Sequence, residues 1–400
     1  MPDRDRVAER LDALWRIAKG PAGGADRPAF SAAEAQAMGL VAGWAQDAGL
    51  APGIDPFGNL WALPAGWEGP LVTAGSHVDT VPDGGRFDGA LGTVLGLELV
   101  DALRDGTSHG ARPGLLVCAA EEAPRFGAGT IGSRLLAGTL APDALHELRD
   151  ATGITAHEAQ ESYLRALAEL PRVEPVPARL RAHVEIHIAQ RRSLDVLGVV
   201  ERVAAPRRAL IELTGEAGHA GEVAMEVRHD ALAAAAEIVL AIERAAQAEP
   251  PATVATVGSL DVEPGAVSVI PGGARLALDL RGIDARSIER LESAIAAAVK
   301  EIAGRRGVAA STVRLRGGDP VSLDAELIRE ATDAARRLAI PLEPTWSGAG
   351  HDAQHLAALA PTLLLFVPLR GGESHTPREG ADADDIERAM LVAIDVLGGR

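Results

Sequence analysis

The sequence predicts an α/β protein: a mostly parallel sheet flanked by helices, interrupted by an inserted α+β segment of ferredoxin-like size. Three observations carry that prediction. Short apolar runs at Pro70–Gly75, Gly114–Ala120, Arg181–Ile188 and Pro361–Val367 have the length and texture of strands buried on both faces. Each runs out into a loop that carries a histidine or an acid, and helical stretches separate them, which is the alternation of a parallel sheet. From Arg208 to about Gly317 the order changes to strand, helix, strand, strand, helix, strand. The reading is therefore one domain made of residues 1–207 and 318–400, with 208–317 inserted into it.

Taken in order, Asp5 to Ala18 and Ser31 to Ala48 have helical periodicity, and Ser31 with Glu34 three residues later is a capping-box signature. Short β-like pieces follow at Ile54–Phe57 and Asn59–Leu63, then the opening strand and the loop GSHVDTVPDGGRFD. Ala90 to Leu103 reads as a helix whose amino end faces that loop and favours negative charge there. The strand GLLVCAA ends in Glu121-Glu122, residues 141–170 read as helices, and RAHVEIHI ends near His187. In the insertion, strands are expected at Ala209–Thr214, Thr253–Asp261, Ala274–Arg281 and Thr312–Arg316, with helices at Arg228–Ala246 and Ser287–Ala303. The first texture then resumes with a helix from Asp324 to Leu338, the loop SGAGHD, a helix from Ala353, the last buried strand, a loop carrying His375 and a terminal helix from Asp384.

Composition narrows the function classes. With 39 basic against 56 acidic side chains the net charge is −17, which argues against nucleic acid or an anionic membrane surface as partner. The lone Cys118 rules out an intrachain disulfide and a cysteine metal cluster. The amino-terminal stretch is charged and amphipathic and no run reaches membrane-spanning length, so a cytoplasmic location is expected.

His77 and Asp79 are two apart, so on extended backbone they point to one side, where the imidazole can ligate a metal while the carboxylate holds its other nitrogen. Asp88 arrives after a Gly-Gly turn, and its two oxygens can bridge two ions. With Glu122, His187 and His375, also near strand ends, there are enough nitrogen and oxygen ligands for two divalent ions sharing Asp88. Side chains diverge along a loop, so Glu122 can reach a metal while Glu121 serves as general base toward a water between the ions.

The motifs GSHVDTVPDGGRFDGALG, EEAPRFGAGTIGSR, EIHIAQ, GHAGEVAMEVRHDAL, VIPGGARLALDLRGID, SGAGHDAQ and GGESHTPRE, in this order, resemble the di-metal amidohydrolases and peptidases of the aminoacylase and carboxypeptidase type. The resemblance is strongest to the N-carbamoyl-L-amino-acid hydrolase and allantoate amidohydrolase branch. It implies a zinc-exopeptidase-like catalytic domain in which His77, Asp88, Glu122, His187 and His375 hold two ions and Glu121 is the base. It also implies that the inserted domain is a dimerisation or lid domain. Its His219 would reach the partner subunit's site to steady the oxyanion, and Arg281 would clamp the substrate carboxylate as guanidinium groups do. Without the resemblance, pairing of Arg281 with Asp279 or Asp284 is the ordinary expectation. Gln190 and His351 match substrate-contacting positions, and Ser268 stands where the branch has a substrate-binding asparagine.

The chain also departs from the branch. HIEQG becomes His187-Ile188-Ala189-Gln190-Arg191, the Thr-Thr-Pro after HAG becomes Glu222-Val223-Ala224, and Ser268 is shorter than asparagine. The ligand set and base are intact, so hydrolysis of a linear amide or ureido C–N bond in a small carboxylate-bearing substrate is expected, on a homodimer holding two ions of zinc, manganese, cobalt or nickel per subunit. The alternatives are an N-acyl-amino-acid deacylase or dipeptidase with the same machinery, and a non-catalytic binding protein on the same fold.

Overall fold

Two helices, α1 (Arg4–Trp15) and α2 (Ala32–Asp47), lead the chain in the computed structural model, which describes residues 3–400. Then come the hairpin β1 (Leu50–Ile54) and β2 (Leu60–Pro64), β3 (Leu71–Ala74), α3 (Ala90–Ala102), β4 (Arg112–Val117), α4 (Ile131–Leu136), α5 (Ala156–Ala166), β5 (Leu180–Ile188) and β6 (Leu197–Val203). A second series runs β7 (Ala205–Thr214), β8 (Gly218–His219), α6 (Ala231–Gln247), β9 (Val254–Glu263), β10 (Val269–Ile270), β11 (Gly273–Gly282), α7 (Ala285–Arg306) and β12 (Ala309–Arg316). The chain closes with β13 (Val321–Ser322), α8 (Ala325–Arg337), β14 (Leu342–Ser347), α9 (Asp352–Leu356), β15 (Thr362–Val367) and α10 (Ala383–Gly398).

Two compact units result. One is Met1–Glu201 with Ser322–Thr345 and His351–Arg400; the other is Arg202–Val321 with Trp346–Gly350. The second is wider than the span 208–317 because its first strand already begins at Ala205, and it takes in part of the loop SGAGHD.

The first unit is built on a sheet in the order β1-β2-β4-β3-β5-β15-β6-β13, with β14 also paired to β6. Its centre is parallel: β3 pairs β4 and β5, and β15 pairs β5, all in the same direction. The flanks turn antiparallel, at β1–β2, β2–β4 and β15–β6, so the sheet is mixed rather than simply parallel. The four central strands are the apolar runs picked out above; β3 and β15 are buried at every residue. Strands covered on both faces need no polar side, which is why they read as continuous apolar runs. All four central strands run in one direction, so their carboxyl ends lie together at one edge.

The second unit follows β-α-β-β-α-β with strand order β12-β7-β11-β9, every neighbour antiparallel. One face of β11 carries Leu276, Leu278 and Leu280 into a core with Ile238 and Ile242 of α6 and Ile288, Leu291 and Ile295 of α7. The alternating residues Asp279 and Arg281 stand on the other face, as period-two patterning requires of a sheet with helices on one side.

Candidate metal centre

The loop after β3 turns at Gly89, whose φ of +64° suits glycine, and a Cβ there would sit 2.4 Å from the His77 ring. That turn brings Asp88 into the buried space where β3, β5 and the final loop converge; His77, Asp88 and His187 are all under 4 % exposed. The two oxygens of Asp88 face different partners. Oδ1 lies 3.1 Å from His187 Nε2 and 3.9 Å from His77 Nε2, while Oδ2 lies 3.0 Å from His375 Nε2. The donor atoms of His77, Asp88 and His187 all fall within 4.8 Å of one another, and so do those of Asp88, Glu122 and His375.

The paired glutamates diverge. Glu121 approaches His77, with Oε2 3.8 Å from Nε2, and Glu122 approaches His375, with Oε1 3.8 Å from Nε2. Asp79 sets that divergence: its carboxylate accepts the backbone N–H of Glu121 at 3.1 Å and of Glu122 at 2.9 Å, and Oδ1 lies 3.3 Å from His77 Nδ1. One carboxylate thus braces both acids and the first histidine. Gln190 Nε2 donates to Asp88 Oδ2 at 3.1 Å and lies 3.3 Å from His375 Nε2.

The electrostatics suit a cation. Burial, then the charge of Asp88, pushes Glu122 up to about 7, while hydrogen bonds from His187 and His375 outweigh burial and hold Asp88 well below the usual carboxylate range. His375 is raised to about 9, chiefly by its bond to Asp88. Buried acids that burial forces toward the neutral form are what a divalent ion relieves, and imidazole with carboxylate is a donor set such ions accept. The residues present therefore fit metal ions, with Asp88 common to both groups.

Other expected residues fall elsewhere. His351 is 1 % exposed and packs edge-on to His187, ring centroids 4.6 Å apart, and against Phe366 at 5.5 Å; it backs the candidate ligand His187 instead of lying open to solvent. His219, Ser268 and Arg281 belong to the second unit. His219 is exposed on β8, opposite Val269, and its ring accepts the Gly221 N–H at 3.1 Å; Ser268, also exposed, receives the Ala220 N–H on its carbonyl. Arg281 makes the ion pair with Asp279, Nε to Oδ1 at 2.8 Å, and donates to the Gly348 carbonyl. It sits on an inner strand, and Arg208 across the strand pair shares the same Asp279 at 2.9 Å.

Among the departures, Ala189 is fully buried, Arg191 donates to Thr345 Oγ1, and the Glu222-Val223-Ala224 turn is held by Arg228, which donates to the Val223 and Ala220 carbonyls.

Sequence reasoning missed Glu379. Its carboxylate accepts the N–H of Phe87 (3.0 Å), Asp88 (3.3 Å) and His375 (3.0 Å), tying the two ligand-bearing turns together. A Cβ on Gly85 would land 1.6 Å from the Glu379 carboxyl carbon, so that glycine makes room for it. The signal was an acid four residues after His375 inside GGESHTPRE. Glu185 was missed too: two before His187 on β5, it accepts from Ser76 Oγ at 2.7 Å and the Ala353 N–H at 2.8 Å, which occupies the carboxylate of the third cluster, Glu185, His187 and His351.

Comparison with known proteins gives the family. The profile of Peptidase family M20/M25/M40 matches residues 73–398. An N-carbamoyl-L-amino acid amidohydrolase of Geobacillus stearothermophilus is 38% identical over 393 residues, covering 95% of this chain and 94% of that one. An allantoate deiminase of Arabidopsis thaliana is 31% identical, over 98% of this chain and 82% of its own. The crystal structure of a hydantoinase/carbamoylase family amidase from Burkholderia multivorans superposes with a TM-score of 0.86 at 32% identity, covering 99% of this chain and 97% of that one. On the length and continuity of these matches, the chain belongs to peptidase family M20/M25/M40.

Proposed function

We propose that this protein is a metal-dependent amidohydrolase that cleaves a linear amide or ureido C–N bond in a small carboxylate-bearing substrate, an N-carbamoyl-L-amino acid or a ureido acid of the allantoate kind. The observation that carries the reading is Asp88, whose two oxygens face two separate sets of donors, with Glu121 beside the first and Glu122 beside the second. His77 and His187 would hold one ion, Glu122 and His375 a second, and Asp88 both. Bound there, divalent ions supply Lewis acidity toward the carbonyl and a lower pKa for water.

The chain's own residues do the rest. Glu121 takes the proton of the attacking water as the new C–O bond forms, then delivers it to the nitrogen as the C–N bond breaks. Asp79 anchors the backbone of Glu121 through its N–H and so holds the base's point of attachment beside His77. Gln190 steadies Asp88 Oδ2 by hydrogen bonding. Arg281 is assigned to the substrate carboxylate and His219, from the other subunit of a homodimer, to the oxyanion. Exposed Met225, Val227 and Val267 near His219 and Ser268 in sequence favour an assembly that covers them.

The test is a release screen on metal-loaded protein with N-carbamoyl, ureido and N-acetyl amino acids. Ammonia and carbon dioxide from carbamoyl or ureido substrates support the reading; acetate alone makes the protein a deacylase, and no release from any substrate makes it a binding protein.

A further inference from the structure

The first unit buries its apolar side chains almost completely, and among its described residues only Ile154 (43 %) and Leu338 (40 %) are large hydrophobics left exposed. Ile154 stands on the wall of a cavity of about 860 Å³. The wall is formed by the segment entering α2, the loop that follows His77 and Asp79, the loop that follows Glu121, and α5. Pro28, Phe30, Pro82 and Pro124 give it an apolar lining, and Glu122 is part of it, so the cavity adjoins the proposed metal centre.

Apart from Glu122, its charged wall residues are already engaged. Arg125 donates to Asp150 at 3.2 Å and to the Ala29 carbonyl at 2.7 Å. Glu158 accepts from the Thr155 N–H and hydroxyl, both at 2.8 Å, as the capping box of α5. Arg165 donates to Ser162 Oγ at 2.8 Å and lies 3.7 Å from Glu161. Apart from Glu122 at the metal-centre end, the wall's charges are engaged, and its remaining surface is proline, alanine, phenylalanine and isoleucine with the hydroxyl-bearing Ser31, Thr80 and Ser162, a mainly apolar lining that selects an occupant by apolar contact and shape; pockets of roughly 300–1,000 Å³ are the range that holds small organic ligands.

We propose that this cavity is the subsite for an apolar, ring-bearing side chain of the substrate, lodged between Phe30, Pro124 and Ile154 while the scissile group lies at Glu122 and its metal-ligating neighbours. The assignment rests on the amidohydrolase reading above, and it makes the enzyme selective for aromatic or large aliphatic carbamoyl amino acids. It also adds a wall that no motif names to the departures from the branch at Ala189, Glu222 and Ser268.

Ile154 and Ala32 are both exposed at this wall, so Ile154→Asp, which makes the wall polar, and Ala32→Trp, which narrows it, should leave the fold and its melting temperature unchanged. The probes are N-carbamoyl-L-phenylalanine and N-carbamoylglycine. Both variants should raise KM for the phenylalanine substrate by about tenfold or more while kcat holds, and leave the glycine substrate within about twofold. Equal effects on the two substrates, or none on either, overturn the subsite. Calorimetric binding of the same two compounds to metal-loaded Glu121→Gln protein, with and without the wall substitutions, reads the subsite without turnover. If the wild type hydrolyses neither compound, the amidohydrolase reading fails for them, while loss of phenylalanine-selective binding on Ile154→Asp still supports the subsite and retention of it still overturns it.

Discussion

Asp88 is 3 % exposed and its oxygens are approached by His187, His375, Gln190 and Ser374, whereas His219 stands exposed on a two-residue strand with its ring bonded to the N–H of Gly221. The two units hold their polar residues in opposite ways. In the first, carboxylates brace the proposed ligands through backbone N–H groups: Asp79 holds Glu121 and Glu122, and Glu379 holds Asp88 and His375. In the second, Arg281 and Arg208 share Asp279 on a half-exposed sheet face, and of the large exposed hydrophobics all but Ile154 and Leu338 lie there. Fixed geometry suits groups that must meet in a transition state, and adaptable side chains suit recognition. Substitutions among the braced carboxylates and candidate ligands of the first unit should therefore act on kcat and metal affinity, and substitution of Arg281 on the open sheet face should act on KM.

The largest effect should come from Glu121. Glu121→Gln keeps the shape and removes the base, so kcat should fall by about 10³-fold with metal content unchanged, read by steady-state rates beside metal analysis. A fall in metal content of the same size would move Glu121 into the ligand set. Next, Arg281→Gln should raise KM for carboxylate substrates by about 10- to 150-fold, the worth of a charge-assisted hydrogen bond at about 1.5–3 kcal/mol, with kcat nearly constant. A loss confined to kcat would break the division between the units.

Glu379→Gln tests the bracing itself. The amide cannot accept three N–H groups as the carboxylate does, so metal affinity should drop by about 10- to 100-fold, measured by competition with a chelator, while the protein stays folded. Unchanged affinity would mean that the ligand turns hold themselves.

The smallest effect concerns the interior beneath the centre. His183, four residues before His187 on β5 and 3.0 Å from Thr73 Oγ1, is pushed by burial down to about 3. The unfolded chain takes up that proton near 6.5 and the folded one does not, so the group costs nothing above about pH 6.5 and erodes stability as pH falls from there toward 3. The slope is about 1.4 kcal/mol per pH unit. In urea melts between pH 7 and 5, the gap in stability between wild type and His183→Gln should shift in favour of the variant by that slope; a gap independent of pH would mean that water reaches β5.

Much of this was legible because it is local. The buried central strands announce themselves as apolar runs, and the residues just past their ends can be named without knowing how the strands are ordered. What the sequence did not disclose depends on partners distant along the chain. Glu379 meets Phe87 and Asp88 from the far end of the sequence, and two of the antiparallel flank pairings, β2 with β4 and β6 with β15, join strands that are not consecutive in the chain. Glu34 shows how a local rule can be right and incomplete: Ser31 does cap α2, yet the Glu34 carboxylate turns inward to the N–H groups of Phe30 and Ala120 and so braces the turn that carries Glu121. Arg281 is the opposite case, since its ordinary partner Asp279 is two residues away and is the one it has.

The most direct test of the account is the metal stoichiometry of wild type and Asp88→Ala, loaded with manganese or zinc, freed of excess ion and measured by mass spectrometry of the metal. Two ions per wild-type chain are expected, with a loss of affinity for both in Asp88→Ala, because one carboxylate serves both groups. One ion per wild-type chain, or two ions retained by Asp88→Ala, would contradict it.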